Sequence, residues 1–420
     1  MYDDLYGEAR RWLEARASPG LFRSFAAPTT MGGVMPSTSR LMSYLVVAVL
    51  VLAVVVVLPA TGALDVPRLP VNLGEIEEAR VVEVLRDELR ETERGDVRTQ
   101  VVIVEVAAGQ VEIEHVFVEG SAGAFAMRTG DEILVSRAEF NGAERYFVQE
   151  RQRRSSVWVL SLAFALLVVL IGGRQGAMSL VALGLSFLVI VRFIVPAIYG
   201  GWDPVVAAIV GALVIMTASL VIGHGPSTKT WIALGGTALS LVLTGLLAVF
   251  AVGFTQLTGL GDEDGATLQA LVAGVSARGL LLGGIIIGAL GVLDDVTTTQ
   301  SSTVMEIHRA NRSLGPAQLF ARAMNVGRDH IASTTNTLVL AYAGASLPLL
   351  MILAGQGEPI GILVSYEQLT AEIVRTLVGS MGIVAAVPIT TGLAAFLIGS
   401  GMVRDDEPDG HTVSALAPEG

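Results

Sequence analysis

The chain has 420 residues, of which 52% are hydrophobic and only 16% are charged. An average soluble domain has about a quarter of charged residues, so a chain this apolar needs lipid to cover its surface, which argues against a soluble enzyme. The net charge of −12 is unfavourable for binding nucleic acid, which requires a basic face. Cysteine is absent, which excludes disulfides, thiolate nucleophiles and cysteine-ligated metal centres.

The N-terminal part predicts a tail followed by a membrane anchor. Residues 1–40 are modestly apolar and are expected to form a flexible cytoplasmic tail. Residues 41–60 then form an apolar run with no charged residue. This length is about that needed to span the hydrocarbon core, so the run is predicted to be the first transmembrane helix.

Residues 64–155 have a different pattern, in which charged residues and valines alternate. A period of two is typical of strands with one buried face. Turn residues divide the segment, and a small five-stranded antiparallel barrel of the OB kind is expected. The five strands are predicted near residues 79–85, 99–106, 111–118, 132–136 and 145–149.

From residue 157 the chain is almost continuously apolar, with short polar joints. We predict a bundle of seven further membrane helices over residues 157–398, which makes eight spans in a mainly α polytopic membrane protein. The predicted spans are 157–171, 178–195, 204–222, 230–254, 272 to about 299 or beyond, 331–354 and 374–398.

Arginine placement predicts the orientation. Residues 300–330 are expected to form a cytoplasmic loop, because they hold Arg309, Arg312, Arg322 and Arg328. With eight spans, both termini, including a tail at 399–420, are then cytoplasmic, and the β domain is extracytoplasmic. Three arginines at positions 151, 153 and 154 disagree with this orientation, but folded domains translocate despite charge.

The strongest candidate site is the pair Asp294 and Asp295, which follows a long apolar stretch. An aspartate at membrane depth costs about 2.5–3.5 kcal/mol and normally faces a bundle interior or a watery cavity. Such a pair is suited to load and release protons as its exposure to water changes. Two interpretations stay open. The helix ends at Leu293 and the aspartates begin a wet loop, or it continues, with Asp294, Thr298 and Ser301 on one face.

A second candidate group lies near the start of the seventh span. Asp329, Ser333 and Asn336 are spaced to form one polar stripe that would line a path, and Arg328 is expected to neutralise Asp294 or Asp295. In the alternative interpretation, Arg328 and Asp329 only anchor the helix end at the interface. A metal site would require the carboxylates to converge with imidazole groups, although no tight ligand spacing is present. The residues concerned are Asp294, Asp295, Asp329, His308 and His330.

Three stretches resemble the YibE/F family of multipass bacterial membrane proteins. They are Gly291-Val-Leu-Asp-Asp-Val-Thr-Thr-Thr299, Ala323-Met-Asn-Val-Gly-Arg-Asp-His330 and Asn336-Thr-Leu-Val-Leu-Ala-Tyr-Ala-Gly-Ala-Ser-Leu-Pro348. The resemblance covers about residues 41–400 and implies a location in the bacterial cytoplasmic (inner) membrane. It contributes little on biochemical role.

The order of parts from residue 291 is also similar to the later helices of the SecF-type subunit of the protein-export machinery, in the RND superfamily. Glu306-Ile-His-Arg-Ala-Asn311 and Gly379-Ser-Met-Gly-Ile-Val384 carry this similarity. It implies a proton-carrying aspartate in the helix before residue 306. An ungapped match places Gln300, not Asp295, in that position, and eight spans are two more than that pattern has.

The leading hypothesis is a proton-coupled transporter or export component that uses Asp294 and Asp295. The alternatives are a non-transporting envelope scaffold whose external β domain binds a partner, and a metal-ion transporter. No enzymatic activity and no cofactor are expected. The protein is expected to contact the lipid bilayer and not to bind nucleic acid. A protein partner or cargo bound at residues 64–155 and a homo-oligomer are both left open.

Overall fold

The computed structural model describes residues 38–57, 75–92, 95–120, 125–140, 143–272 and 274–402. The predicted tails, residues 1–40 and 399–420, lie almost entirely outside this range, as do residues 58–60 of the first predicted span and residues 64–74 of the predicted β domain. Within it, one short helix is followed by five strands and then by a long helical part.

The five strands lie where the alternating pattern predicts them and form one antiparallel, barrel-like sheet of order β3-β2-β1-β4-β5. The central strand β1 pairs with β4 through its first residues and with β2 through the rest. The OB class stays a prediction. The strands are β1 (Glu75–Thr92), β2 (Gly95–Val106), β3 (Gly109–Val118), β4 (Glu132–Phe140) and β5 (Ala143–Arg151).

Alternate residues of the strands face a common apolar core, as expected for a sheet with one buried side. Val102, Val104, Ile133 and Val135 are completely buried in it. Gln100 is a buried polar residue beside this core: its amide oxygen accepts from the backbone N–H of Met127 at 2.7 Å, and its amide nitrogen donates to the Met127 carbonyl. Gln100 therefore attaches the segment before β4 to β2.

An ion pair at the edge of this core makes the stability of the sheet depend on pH. Arg98 donates two hydrogen bonds to Asp87, at 2.7 and 3.0 Å, and Gln100 donates a third. The bond from Arg98 is the main reason that the pKa of Asp87 lies below its ordinary value. A lowered carboxyl pKa means that the pair stabilises the fold above the unfolded pKa of about 3.9 and that this contribution is lost as pH falls through the folded pKa.

We therefore expect Asp87→Asn to weaken the sheet at neutral pH and to have little effect at pH values below the folded pKa of Asp87. Hydrogen exchange of the β1 and β2 amides in the full chain, corrected for the intrinsic exchange rate at each pH, measures this difference. Equal protection of the variant and the parent at pH 7 would contradict the role of the pair.

The rest of the described chain is helical. The axes of α8 and α9 meet at a bend of 62°, and Pro348 lies directly after this bend, at the second position of α9. The helices are α1 (Thr38–Leu52), α2 (Arg154–Val189), α3 (Val195–Tyr199), α4 (Pro204–His224), α5 (Thr228–Phe254), α6 (Glu263–Leu271), α7 (Ala277–Ala310), α8 (Pro316–Ala345), α9 (Leu347–Gly355), α10 (Ile360–Leu363) and α11 (Glu367–Gly399). A π-helical turn extends α1 over Ala53–Val57, and another joins α2 to α3 over Ile190–Ile194.

Five described helical segments are long and apolar enough to cross a membrane, and the bent pair α8–α9 makes a sixth. The chain is therefore a multipass membrane protein, but the predicted number of eight spans is not confirmed. The stretch Arg154–Tyr199 counts as one of the five. It is interrupted at Gly173, whose φ is +55°.

Gly176 shows that the chain folds back at this interruption. In a continuous helix, Val168 and Gly176 would lie about 12 Å apart along the axis. A Cβ atom on Gly176 would instead overlap the carbonyl oxygen of Val168. The chain therefore reverses sharply at Gly172-Gly173, and the residues just before and just after this turn are in contact. We call this feature the α2 hairpin.

Residues 300–330 are predicted to form a cytoplasmic loop, but most of them are helical, so the prediction of a loop is wrong. Helix α7 continues to Ala310, α8 begins at Pro316, and only the five residues between them are not helical. The polar residues that indicated a loop are instead covered by neighbouring helices: Thr297, Gln300 and Ser301 are buried.

Helix α7 packs against α4, α5, α8 and α11, and small residues allow these helices to approach closely. A Cβ atom on Gly236 of α5 would overlap the side chain of Thr390 of α11, and one on Gly382 of α11 would overlap Thr244 of α5. In contrast, a Cβ atom on Gly245 would make only an ordinary contact of 3.9 Å with Ile286.

We expect Gly236→Ala to destabilise the bundle by about 1–3 kcal/mol, because the Cβ of Thr390 cannot rotate away from the added methyl group. The matched variant Gly245→Ala is expected to be neutral or stabilising by up to about 1 kcal/mol, since alanine is the better helix former. Thermal unfolding of the detergent-solubilised chain compares the two. A loss of stability in both variants to the same extent would contradict the close approach of α5 and α11.

Candidate functional site

Asp294 and Asp295 lie inside α7, seventeen and eighteen residues after its start at Ala277. The interpretation that the helix ends at Leu293 is therefore wrong, and the continuing helix is found. Ser276 caps its start by accepting from the N–H of Gly279. With 34 residues, α7 is about 51 Å long, which exceeds a hydrocarbon core of about 30 Å.

Two hydrogen bonds between helices give the depth of the aspartates in the bundle. Ser301 donates to the carbonyl oxygen of Lys229 at 2.8 Å, which places Ser301 level with the first turn of α5. Ser219 donates to Asp294 at 3.1 Å, and Ser219 lies five residues, or about 7.5 Å, before α4 ends at His224. Asp294 therefore lies between helices, about 7.5 Å further into the bundle than the turn that joins α4 to α5.

Only one oxygen of Asp294 is engaged. Oδ2 accepts the bond from Ser219, whereas Oδ1 is shielded from solvent and has no hydrogen-bond partner among the described residues. The hydroxyl of Thr298, one turn further along α7, likewise has no partner there. A shielded carboxylate oxygen without a partner is costly, and protonation of the group or a hydrogen-bond donor at Oδ1 lowers that cost.

Asp294, Asp295 and Thr298 line a cleft of about 730 Å³ between α2, α4 and α7. Gly172 and Gly176, at the turn of the α2 hairpin, also line this cleft. We call it the α2–α4–α7 cleft. Its other polar lining residues are Gln175, Ser179, Ser186, Ser219 and His224.

Asp295 faces a second neighbour. Its side chain is 72% exposed, and its Oδ2 lies 3.9 Å from Nε2 of His330 on α8, whose side chain is 26% exposed. The predicted partner Arg328 is not in this position: it is exposed and donates to Asn325 of its own helix at 3.1 Å. Within the described residues, no ion pair joins Arg328 to Asp294 or Asp295, so that prediction is wrong.

The predicted path-lining residues separate into two groups. Thr298 lines the cleft, and Ser301 is buried against α5. Asp329, Ser333 and Asn336 do form one stripe on α8, but the stripe is exposed on the outside of the described bundle. It does not meet Asp294, because α8 turns its buried residues Ala323 and Gly327 towards the bundle.

The structure also contains a buried polar layer that the sequence analysis did not assign. Thr391 of α11 donates to the amide oxygen of the completely buried Gln300 at 2.9 Å, and the hydroxyls of Thr237 and Thr297 are 2.5 Å apart. The amide nitrogen of Gln300 has no described partner. The signal that could have found this layer is the recurrence of hydroxyl residues in otherwise apolar spans. These are Thr237, Ser240 and Thr244 of α5 and Thr390 and Thr391 of α11.

The ligand cluster that a metal-ion transporter requires does not form. Across the described ranges, no three histidine, aspartate or glutamate side chains come together as a group able to hold a metal ion. Of the residues considered for this role, only Asp295 and His330 meet. Their separation of 3.9 Å is that of an ion pair or of a bridged contact.

With the helices and the cleft described, the chain was compared with known proteins. Residues 160–400 match the family model of the YibE/F-like proteins. The chain belongs to the YibE/F-like family. The match begins inside α2 and ends at the end of α11, so the family region of this YibE/F-like protein contains Asp294, Asp295 and the cleft. Comparisons with curated proteins and with solved structures gave no match.

The absence of native cysteine allows the site of this YibE/F-like protein to be mapped. In single-cysteine variants, we expect a small membrane-impermeant thiol reagent to label positions 291, 295 and 298, which line the cleft, and not 293, 296 or 300, which are completely buried. This pattern follows from a helix that continues through the polar run. Uniform labelling of all positions after 293 would contradict it.

Proposed function

We propose that this protein is a proton-coupled transporter or export component of the bacterial cytoplasmic membrane and that Asp294 takes up and releases the proton. The observation that carries this proposal is the environment of Asp294: one carboxyl oxygen is held by Ser219, and the other is shielded at a cleft between helices, with no hydrogen-bond partner among the described residues. Membership of the YibE/F-like family does not by itself indicate what the protein transports or whether it transports anything.

The energetics of a carboxylate at this position support proton exchange. A charged aspartate at membrane depth costs about 2.5–3.5 kcal/mol on insertion scales, and protonation removes the part of that cost that comes from the charge. When the cleft contains water, the charged form is solvated. When the helices close over the cleft, the neutral form is favoured. A change in helix packing is thereby coupled to binding and release of a proton.

Asp295 and His330 supply a connection to a second helix. They lie on α7 and α8, and the charge on either side chain changes the attraction between these two helices. Helix α8 is bent away from α9 by 62° beyond this point. We propose that the Asp295–His330 contact couples the charge state of the aspartates to the position of α8.

Charge asymmetry supports the proposed orientation. The end of the bundle near the aspartates has basic residues at its turns, among them Arg174, Lys229 and Arg312. The opposite end has Asp262 directly before α6 and Glu263 and Asp264 in the first turn of α6. Positively charged turns stay on the cytoplasmic side, so we propose that the aspartates lie near the cytoplasmic surface and that the β domain is extracytoplasmic.

We expect Asp294→Asn to abolish proton uptake in proteoliposomes that hold the purified chain and a pH-sensitive dye, because the amide cannot bind or release a proton near neutral pH. Asp295→Asn is expected to reduce the rate without abolishing uptake, since its side chain is largely exposed. Ser219→Ala removes the hydrogen bond and is expected to shift the pH dependence of uptake while preserving its maximum.

Asp264→Asn is the matched control, because it removes the same charge at the opposite end of the bundle. Thermal unfolding of each variant separates loss of transport from loss of folding. Unchanged uptake by folded Asp294→Asn would contradict the proposal and would favour the scaffold hypothesis, in which the β domain performs the function.

A further inference from the structure

The α2–α4–α7 cleft is polar at one end and apolar at the other. Its polar end contains Asp294, Asp295 and His224, close to the turn between α4 and α5. Along α4, Ile215 lies nine residues, or about 13.5 Å, from His224; along α7, Ile287 lies seven residues, or about 10.5 Å, from Asp294. The cleft therefore extends from the proposed cytoplasmic surface towards the middle of the bundle, and its polarity decreases along that path.

The apolar end is formed by side chains from all three helices that bound the cleft. They are Leu183 and Ile190 on the side of α2, Ile215 and Met216 on α4, and Ile287 and Leu290 on α7. Ser186 also lies at this end, where its hydroxyl donates to the carbonyl oxygen of Ala182 on its own helix at 2.9 Å. A volume of about 730 Å³ lies within the range of roughly 300–1,000 Å³ that is usual for small-molecule sites. Such sites are mostly apolar and contain a few polar groups that fix orientation.

The charges in the cleft determine which ligand complements it. The lining contains two carboxylates and one histidine, and neither lysine nor arginine is among the described lining residues. Arg174 and Lys229 are close in sequence to Gly172 and His224 of the cleft, but they are not among its lining residues. A positive group at this end would face Oδ1 of Asp294, which has no described partner, and the exposed carboxylate of Asp295.

We propose that the cleft binds an organic cation that has an apolar body, with the positive group at Asp294 and Asp295 and the apolar part between Ile190, Ile215 and Ile287. This inference rests on the proposed function, since it assigns a substrate class to the same carboxylates. The cation and the proton would then compete for Asp294, which is the simplest way to couple their movements.

The test uses the full chain in phosphatidylcholine nanodiscs and radiolabelled tetraphenylphosphonium as the probe. Tetraphenylborate is the matched control ligand, because it has nearly the same shape and the opposite charge. We expect saturable binding of the cation and none of the anion. Asp294→Asn is expected to weaken cation binding about tenfold or more, because the half-buried charge that faces the cation is lost.

A pair of glycine variants tests the cleft without changing a carboxylate. Gly291 lines the cleft, and a Cβ atom there would meet nothing within 4 Å, so Gly291→Leu can begin its side chain freely and reduces the space in the cleft. Gly284 lies on the same helix, is equally unobstructed and does not line the cleft, so Gly284→Leu is the matched control. We expect Gly291→Leu to lower the affinity for tetraphenylphosphonium about tenfold and Gly284→Leu to leave it unchanged.

Lack of saturable cation binding, equal binding of the anion, or equal effects of the two glycine variants would overturn this inference. These failures are distinguishable from failure of the proposed function. Proton uptake that depends on Asp294, without cation binding, would reject only the substrate class. Cation binding that depends on Asp294, without proton uptake, would reject only the proton coupling.

Discussion

The polar face of α7 has to be covered by other helices, and the arrangement of the bundle follows from this constraint. A helix that carries two aspartates, several threonines and a glutamine cannot face lipid along that side, because unpaired polar groups in hydrocarbon cost several kcal/mol each. Neighbouring helices meet this requirement through Ser219, Thr237 and Thr391, which contact Asp294, Thr297 and Gln300. The hydrogen bonds come from α4, α5 and α11, so α7 is held in one rotation and at one height.

Such contacts require helices to approach closely, and small residues provide this. Gly236 and Gly382 lie opposite threonine side chains, where a methyl group has no space. Gly327 of α8 lies against Gln300 and Val387 in the same way. Thr297 and Gln300 of α7 are therefore buried and fixed in this closely packed region. Their role there is structural, because closely packed side chains leave no room for a substrate.

On the side that faces α2, helix α7 borders an open cleft and is not closely packed. Most residues between 154 and 172 are exposed, and the hairpin leaves open space beside α4 and α7. Asp294 lies at the border between the tightly packed region and this space. A carboxylate at such a border can change its surroundings through a small movement of one helix, whereas Gln300 in the packed layer cannot. This difference explains why the proposals for proton exchange and for ligand binding both centre on Asp294.

Much of the architecture could be predicted from the sequence because it depends on local patterns. The apolar composition predicts a membrane protein, the period of two in residues 64–155 predicts the five strands, and the quoted motifs predict the family. Three features depended on contacts between distant residues. Whether α7 ended at Leu293 depended on Thr297, Gln300 and Ser301 finding partners on other helices. Which aspartate faces Ser219 depended on the rotation of α7. The direction of the Asp329 stripe depended on how α8 packs.

The sequence by itself thus determined that Asp294 and Asp295 are unusual, because two carboxylates after a long apolar run are costly wherever they lie. Only the tertiary structure decided that one of them is held by Ser219 and that the other lies near His330. The tertiary structure also places Arg328 away from Asp294 and Asp295. The physical reason is that hydrogen bonds between helices depend on rotation and height, and side chains from α4, α5 and α11, distant in sequence, fix both for α7.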